Sequence, residues 1–270
     1  MRVATRAIAA VGQYNPFGVS PDLRDFPTGA QTISGPEEAR RAVREQIGYG
    51  ADLIKVYADW STPTLTVEEI RVVVEEAHKL KHKVAAHAST PEGIFNAVTA
   101  GVDSIEHGHA ADRKDLELMK EKGVFLVPTV GVVDAIYARR SATFTPEQRK
   151  SWDSYLQTIQ ESVQLAKSLG VKIASGYDAG SAEGQGKNAE ELISLTKRGL
   201  TPLEAIRAAT TTAAELLDGR DEIGSIEHGK FADLIAVAGD PLTDITILRQ
   251  VKFVMKGGII VVDRFHIPVD

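Results

Sequence analysis

At 270 residues, with 43% hydrophobic and 25% charged content, the chain holds enough apolar material for one large core, or for one core and a small appendage. A net charge of −6 and no basic, aromatic-studded stretch argue against nucleic acid or an anionic membrane as partner, and no apolar run approaches the roughly 20 residues that span a bilayer. The absence of cysteine excludes disulfides, thiolate metal sites and cysteine nucleophiles, so any metal must be held by nitrogen and oxygen; the expectation is a soluble, cytoplasmic chain with no cleavage pattern after Met1.

Short apolar runs alternate with amphipathic segments, the pattern of a parallel α/β arrangement. In chain order, strands are expected over residues 3–11, 52–58, 83–89, 104–108, 125–130 and 172–178. Helical patterns lie over 66–80, opened by a Thr66/Glu69 capping box, and over 92–100, preceded by Thr90-Pro91. The longest, 145–169, starts at Thr145-Pro146 and stops at Gly170; two more cover 188–198 and 202–217, the latter opened by Thr201-Pro202. Beyond Gly219 the texture changes, and 232–238 with 251–262, split by Gly257-Gly258, read as strands of a separate small β unit. The domain boundary is expected near Leu217, with a barrel portion over 1–217 and the β unit over 218–270. Residues 14–36 and 179–187 read as long loops at strand carboxyl ends, where barrel enzymes build substrate pockets.

Four side chains competent to bind a metal stand at the carboxyl ends of different expected strands: Lys55, His87, His107 and Asp178. The period of two along Asp52-Leu53-Ile54-Lys55-Val56-Tyr57 puts Lys55 on the face of Leu53 and Tyr57, opposite Ile54 and Val56. If Ile54 and Val56 pack on helices, the ammonium points inward and needs a salt bridge, a shifted pKa or covalent modification; an ordinary ion-paired lysine stays an open alternative. A single strand-end histidine is commonly a hydrogen-bonded core residue, but two on successive parallel strands, about 5 Å apart, can converge on one ion. Asp178, between Gly176 and Gly180, is placed for a carboxylate exposed at a strand end, with a turn or N-cap role as the alternative. The sequence holds no G-x-S-x-G elbow, P-loop or G-x-G-x-x-G fingerprint. His78 and His82, among Lys79, Lys81 and Lys83, read as a solvated helix end, His109 as a loop residue past Gly108, and His228 and His266 as surface.

Taken together, Ala51-Asp52-Leu53-Ile54-Lys55-Val56, Ala85-Ala86-His87-Ala88, Gly101-Val102-Asp103-Ser104-Ile105-Glu106-His107-Gly108, Tyr177-Asp178-Ala179-Gly180 and Gly229-Lys230-Phe231-Ala232-Asp233-Leu234 resemble the amidohydrolase superfamily. The nearest branch is the imidazolonepropionase-like one, whose members include Xaa-Pro and Xaa-Arg dipeptidases. The resemblance runs in order from about Arg2 to Val262. It implies a (β/α)8 TIM-type barrel with a small β-sandwich built from both chain ends. It further implies one or two divalent metal ions, zinc foremost. In a binuclear site Lys55 would be carboxylated and bridge the metals, His87 and His107 would bind one of them, and Asp178 the other.

The sequence also departs from that family. No H-x-H pair precedes Lys55, and six barrel strands are visible where the fold needs eight. The chain is therefore expected to match a member from about the third barrel strand onward, either as a fragment or as a shortened relative. Strand edges at the gap would favour association, and a homo-oligomer stays open. The reaction implied is hydrolysis of an amide or other C–N bond in a small, peptide-like substrate, with Asp178 as proton shuttle and Tyr57 as a candidate contact to substrate. A truncated inactive fragment, a binding pseudoenzyme and a mononuclear deaminase or cyclic amide hydrolase are the alternatives.

Overall fold

The computed structural model describes residues 1–13, 28–60 and 62–265. The chain divides into two units, one comprising Met1–Val127 with Ser168–Lys172 and the other Pro128–Lys167 with Ile173–Asp270. Among the described residues no helix is long and apolar enough to cross a membrane.

The first unit is built from β1 (Ala7–Ala10), β2 (Ala30–Ile33), α1 (Pro36–Gly48), β3 (Leu53–Tyr57), α2 (Val67–Lys79), β4 (Lys83–Ala88), α3 (Pro91–Ala100), β5 (Ser104–His107), α4 (Arg113–Lys122) and β6 (Phe125–Val127). Its six strands form one parallel sheet in the order β2-β1-β3-β4-β5-β6. One face of the sheet is packed: Ile54, Val56, Val84, Ala86, Ala88 and Ile105 are completely buried, as are Ile70 and Val73 of α2, Ile94 and Ala97 of α3, and Leu116 and Met119 of α4. Each valine, isoleucine, leucine or methionine among them contributes about 1.5–3 kcal/mol relative to an exposed position. Helix starts follow local chemistry. Thr66 and Glu69 close a capping box on α2, Thr90 caps α3, and Asp112 with Asp115 does the same for α4.

Six parallel strands agree with the sequence pattern, but one member differs. β2 lies inside the stretch 14–36 expected to be loop, because Ala-Gln-Thr-Ile buries only Ala30 and Ile33 and is too short to show a period. Most of that stretch, Arg24 included, falls outside the described residues. The expected strand 172–178 is instead irregular: Leu126 N donates to Lys172 O at 2.9 Å and Ile173 forms a single bridge, after which no ladder continues.

In the second unit, α5 (Val130–Arg140), α6 (Pro146–Leu169), α7 (Ala189–Lys197), α8 (Pro202–Ala209) and α9 (Thr211–Leu216) precede β7 (Leu234–Val237), β8 (Val251–Lys256) and β9 (Ile259–Asp263). Val130, Val133, Ile159, Val163, Leu195, Leu200, Ala205 and Ala208 form its helical core. β7, β8 and β9 make a small antiparallel sheet. The two-residue connection Gly257-Gly258 has φ of 56° and 81°, the left-handed pair that a tight hairpin between twisted strands requires.

Candidate functional site

The alternation expected for β3 is the one observed. Ile54 and Val56 are buried on the helix side, while Leu53, Lys55 and Tyr57 are partly open on the other. In register, Lys55 stands beside Ala85, and Tyr57 beside His87, which in turn neighbours Glu106. Tyr57, His87 and Glu106 therefore form one row across three strands. Ser104 Oγ donates to Glu106 Oε1 at 2.6 Å.

His107 pairs with Ala88, a residue of the helix side, so strict alternation would turn its imidazole away from His87. The backbone prevents this. His107 has φ of 70°, a left-handed conformation that costs a non-glycine residue of order 1 kcal/mol, and its ring lies 4.6 Å from that of His87 at an interplanar angle of 66°. Gly108, at φ 58°, completes the turn; a Cβ there would meet Leu126 Cδ1 at 2.5 Å, so a larger residue must displace that buried side chain and also adopt a positive φ. Strain retained at a strand's carboxyl end is what sets the two imidazoles face to edge.

The electrostatics favour neutral rings. Burial, then the Lys55 and His109 charges, push the His87 pKa down to about 3. For His107, burial followed by His87, His109 and Lys55 brings the value down to about 2. At neutral pH each ring keeps a lone pair able to bind a cation. Lys55 Nζ sits 5.8 Å from the centre of the Tyr57 ring. His109 stands in the turn after β5, as the sequence suggests, yet is only 5% exposed, with its ring 5.5 Å from His107. His78 and His82 lie at the end of α2, where His78 Nε2 is 2.8 Å from Asp103 Oδ2 and His82 Nδ1 2.7 Å from Leu80 O. His228 is exposed, and His266 lies outside the described residues.

Two neighbours carry no sequence motif. Asp59, just after β3, is wholly buried, accepts from Ser89 N at 2.9 Å and from Thr90 N and Oγ1 at 2.7 Å, and places Oδ1 3.7 Å from His87 Nε2. Burial pushes its pKa up against those hydrogen bonds. Trp60 follows, with its ring 4.8 Å from His87 and 5.1 Å from Tyr57. The backbone donors to Asp59 are the amides of Ser89 and Thr90, the two residues before α3, a contact between segments 30 residues apart that no local pattern announces.

The first unit thus brings together Lys55, Tyr57, His87 and His107. Asp178 belongs to the second unit, where it is exposed and left-handed at φ 51°; its part in the site rests on the sequence. In kind, two neutral imidazoles on adjoining strands fit a divalent ion. In number they are two, and among the described residues no group of three or more histidine, aspartate and glutamate side chains is arranged to hold a metal. Lysine is outside those ligand types, and Lys55 becomes a further oxygen donor only if its amine carries a carboxylate.

A parallel α/β sheet with two histidines at the carboxyl ends of adjoining strands and a lysine on the strand beside them places this chain with the barrel-type α/β proteins that build their sites on strand ends. The sequence pattern of the amidohydrolase family matches residues 3–261, and the chain belongs to that family. Ochratoxinase of Aspergillus niger is 36% identical over 244 residues, covering 83% of this chain and 49% of its own length. The chain spans about half the length of those curated relatives. Among solved structures, a Xaa-Pro dipeptidase with methionine bound in its active site superimposes with a TM-score of 0.84 at 36% identity, over 94% of this chain and 66% of that one. A prolidase complexed with N-methylphosphonate-L-proline gives 0.84 at 33% identity, over 96% and 68%.

Proposed function

We propose that this chain supplies the histidine and lysine side of the active site of a metal-dependent hydrolase that cleaves amide or peptide bonds in small substrates. The observation that carries the reading is the pair of neutral imidazoles, His87 and His107, held 4.6 Å apart by the left-handed turn at His107, with Lys55 on the same side of the sheet. The names of the similar ochratoxinase, dipeptidase and prolidase support the bond type. The residues that would hold one or two divalent ions, zinc foremost, are His87, His107, Asp178 and a carboxylated Lys55. When bound, such an ion lowers the pKa of a coordinated water toward neutrality and polarises the scissile carbonyl.

The chain's own groups do the rest. Asp178 takes the proton from the attacking water and delivers it to the leaving nitrogen, so that water is consumed and a carboxylic acid and an amine are released. Tyr57, in the row with His87, contacts the substrate carbonyl. Burial of His87 and His107 keeps both out of the proton transfer, since neither binds a proton near neutral pH. The division near Leu217 into a barrel portion and a share of a β-sandwich is part of the same proposal, as is association of copies through the strand edges.

A binding pseudoenzyme is the second reading, favoured in that among the described residues no group of three or more histidine, aspartate and glutamate side chains is arranged to hold a metal. Turnover separates the two. In the hydrolase, Asp178→Asn lowers kcat by ~10²–10⁴-fold, the range of a positioned acid–base group, while part of the metal is retained; unchanged kcat would remove Asp178 from the proton transfer, and no turnover of any amide by the unmodified chain would favour the pseudoenzyme.

A further inference from the structure

The segment after β3 holds two residues for which the proposed chemistry has no use. Asp59 is a fully buried carboxylate that ties the end of β3 to the start of α3 through Ser89 N, Thr90 N and Thr90 Oγ1. Immediately beyond it, Trp60 N donates to Thr62 O at 3.1 Å, Asp59 forms an antiparallel bridge with Pro63, and Thr64 N returns to Ala58 O at 2.9 Å. The backbone of Trp60 is therefore tied to Thr62, and that of its neighbour Asp59 to Pro63. The indole stands 4.8 Å from the His87 ring, tilted 35°, and 5.1 Å from the Tyr57 ring at 76°. Even so, 48% of the residue is open to solvent.

A single exposed apolar residue is ordinary on a protein surface. This one differs in placement. A large ring that serves only packing would be turned inward, and a loose surface ring would not be fixed through a buried carboxylate against the histidine that borders the candidate metal site. Tyr57 and Trp60, edge to face, form an aromatic wall whose outer part is the indole. Flat or bulky apolar groups bind such a surface through buried area and ring stacking, while glycine-like substrates find nothing to hold.

We propose that Trp60 is the specificity-determining residue of this site, an aromatic platform that receives an aromatic or large apolar side chain next to the scissile amide, with Asp59 as the residue that positions it. The assignment deepens the hydrolase reading and rests on it for the identity of the reacting bond.

The test uses the full chain carrying Trp152→Phe, which leaves Trp60 as its one tryptophan, and two probes, N-acetyl-L-phenylalanine and N-acetylglycine. Trp60 emission is expected to change saturably with the first, at concentrations ~10-fold or more below those needed for the second, the order set by losing an aromatic partner and its buried area. In Trp60→Ala the ratio of kcat/KM for the phenylalanine over the glycine compound falls ~10-fold by the same reasoning, and Trp60→Phe restores most of it. Equal emission responses to the two probes, or a ratio unchanged in Trp60→Ala, overturns the platform and leaves the hydrolase reading standing. Selective binding without hydrolysis of either compound supports the platform and removes the hydrolase reading.

Discussion

Gly93→Ala adds one methyl group to the first turn of α3, and the outcome depends on Asp59. On helix propensity alone the change is favourable by up to about 1 kcal/mol. The new Cβ, however, would lie 2.1 Å from Asp59 Oδ2 and 2.6 Å from its Cγ, closer than any real contact. A shift of the buried carboxylate away from that methyl group stretches its bonds from Ser89 N, Thr90 N and Thr90 Oγ1. Hydrogen bonds to a charged, buried acceptor are worth about 1.5–3 kcal/mol each, so losing two outweighs the propensity gain and leaves a net loss of about 2–5 kcal/mol. At about 2–4 °C per kcal/mol for a chain of this size, Tm falls by on the order of 10 °C. Thermal and urea denaturation followed by circular dichroism measure this, with Gly48→Ala as control because a Cβ there meets nothing within 4 Å. The penalty should shrink in an Asp59→Ala background, since the two residues share one contact. Gly93→Ala as stable as the parent, or a penalty undiminished without Asp59, refutes the role given to the buried carboxylate.

Glu191, completely buried, accepts from Val130 N at 3.1 Å and Gly131 N at 2.5 Å, and burial outweighs these bonds and Arg198 to push its pKa from 4.5 up to about 8. The folded state then holds a proton that the unfolded state has lost, so stability falls as pH rises between 4.5 and about 8, by at most about 1.4 kcal/mol per pH unit. Glu191→Gln should flatten that part of the Tm–pH curve; an identical slope in the variant assigns the dependence elsewhere. Arg198, 5% exposed, pairs with Asp134 through contacts of 2.6 and 3.1 Å. Asp134→Ala leaves the guanidinium buried without its carboxylate and should cost about 3–5 kcal/mol in urea denaturation, whereas a loss under about 1 kcal/mol would mean the pair is replaced by water.

Period-two alternation placed Lys55 and Tyr57 on one face of β3 and Ile54 and Val56 on the other, and the burial along the strand follows it. The same rule fails at His107. Counting from Glu106 sends that imidazole to the helix side, and only the left-handed backbone reverses it, which Gly108 hints at but does not specify. Asp59 and Trp60 were invisible for a different reason: their meaning comes from Ser89 and Thr90, the two residues before α3, whose amides fold back onto the end of β3, a long-range contact with no local pattern. Helix α1 was legible in principle, since Gly35-Pro36-Glu37-Glu38 is a helix start with a proline in its first turn and acidic residues behind it. The stretch 172–178 reads as a strand from its apolar content, yet its glycine and the positive φ of Asp178 accompany a chain that forms a single bridge, at Ile173, and no strand.

The proposed hydrolase needs His87 and His107 to hold a divalent ion. Elemental analysis of the purified full chain, beside His107→Ala with an unchanged far-ultraviolet spectrum, measures that ion. Zinc or a similar ion is expected in stoichiometric amount, removed by chelators and missing from the variant. A folded parent chain that takes up no divalent ion when supplied with one, or a variant that retains the full amount, contradicts the proposal.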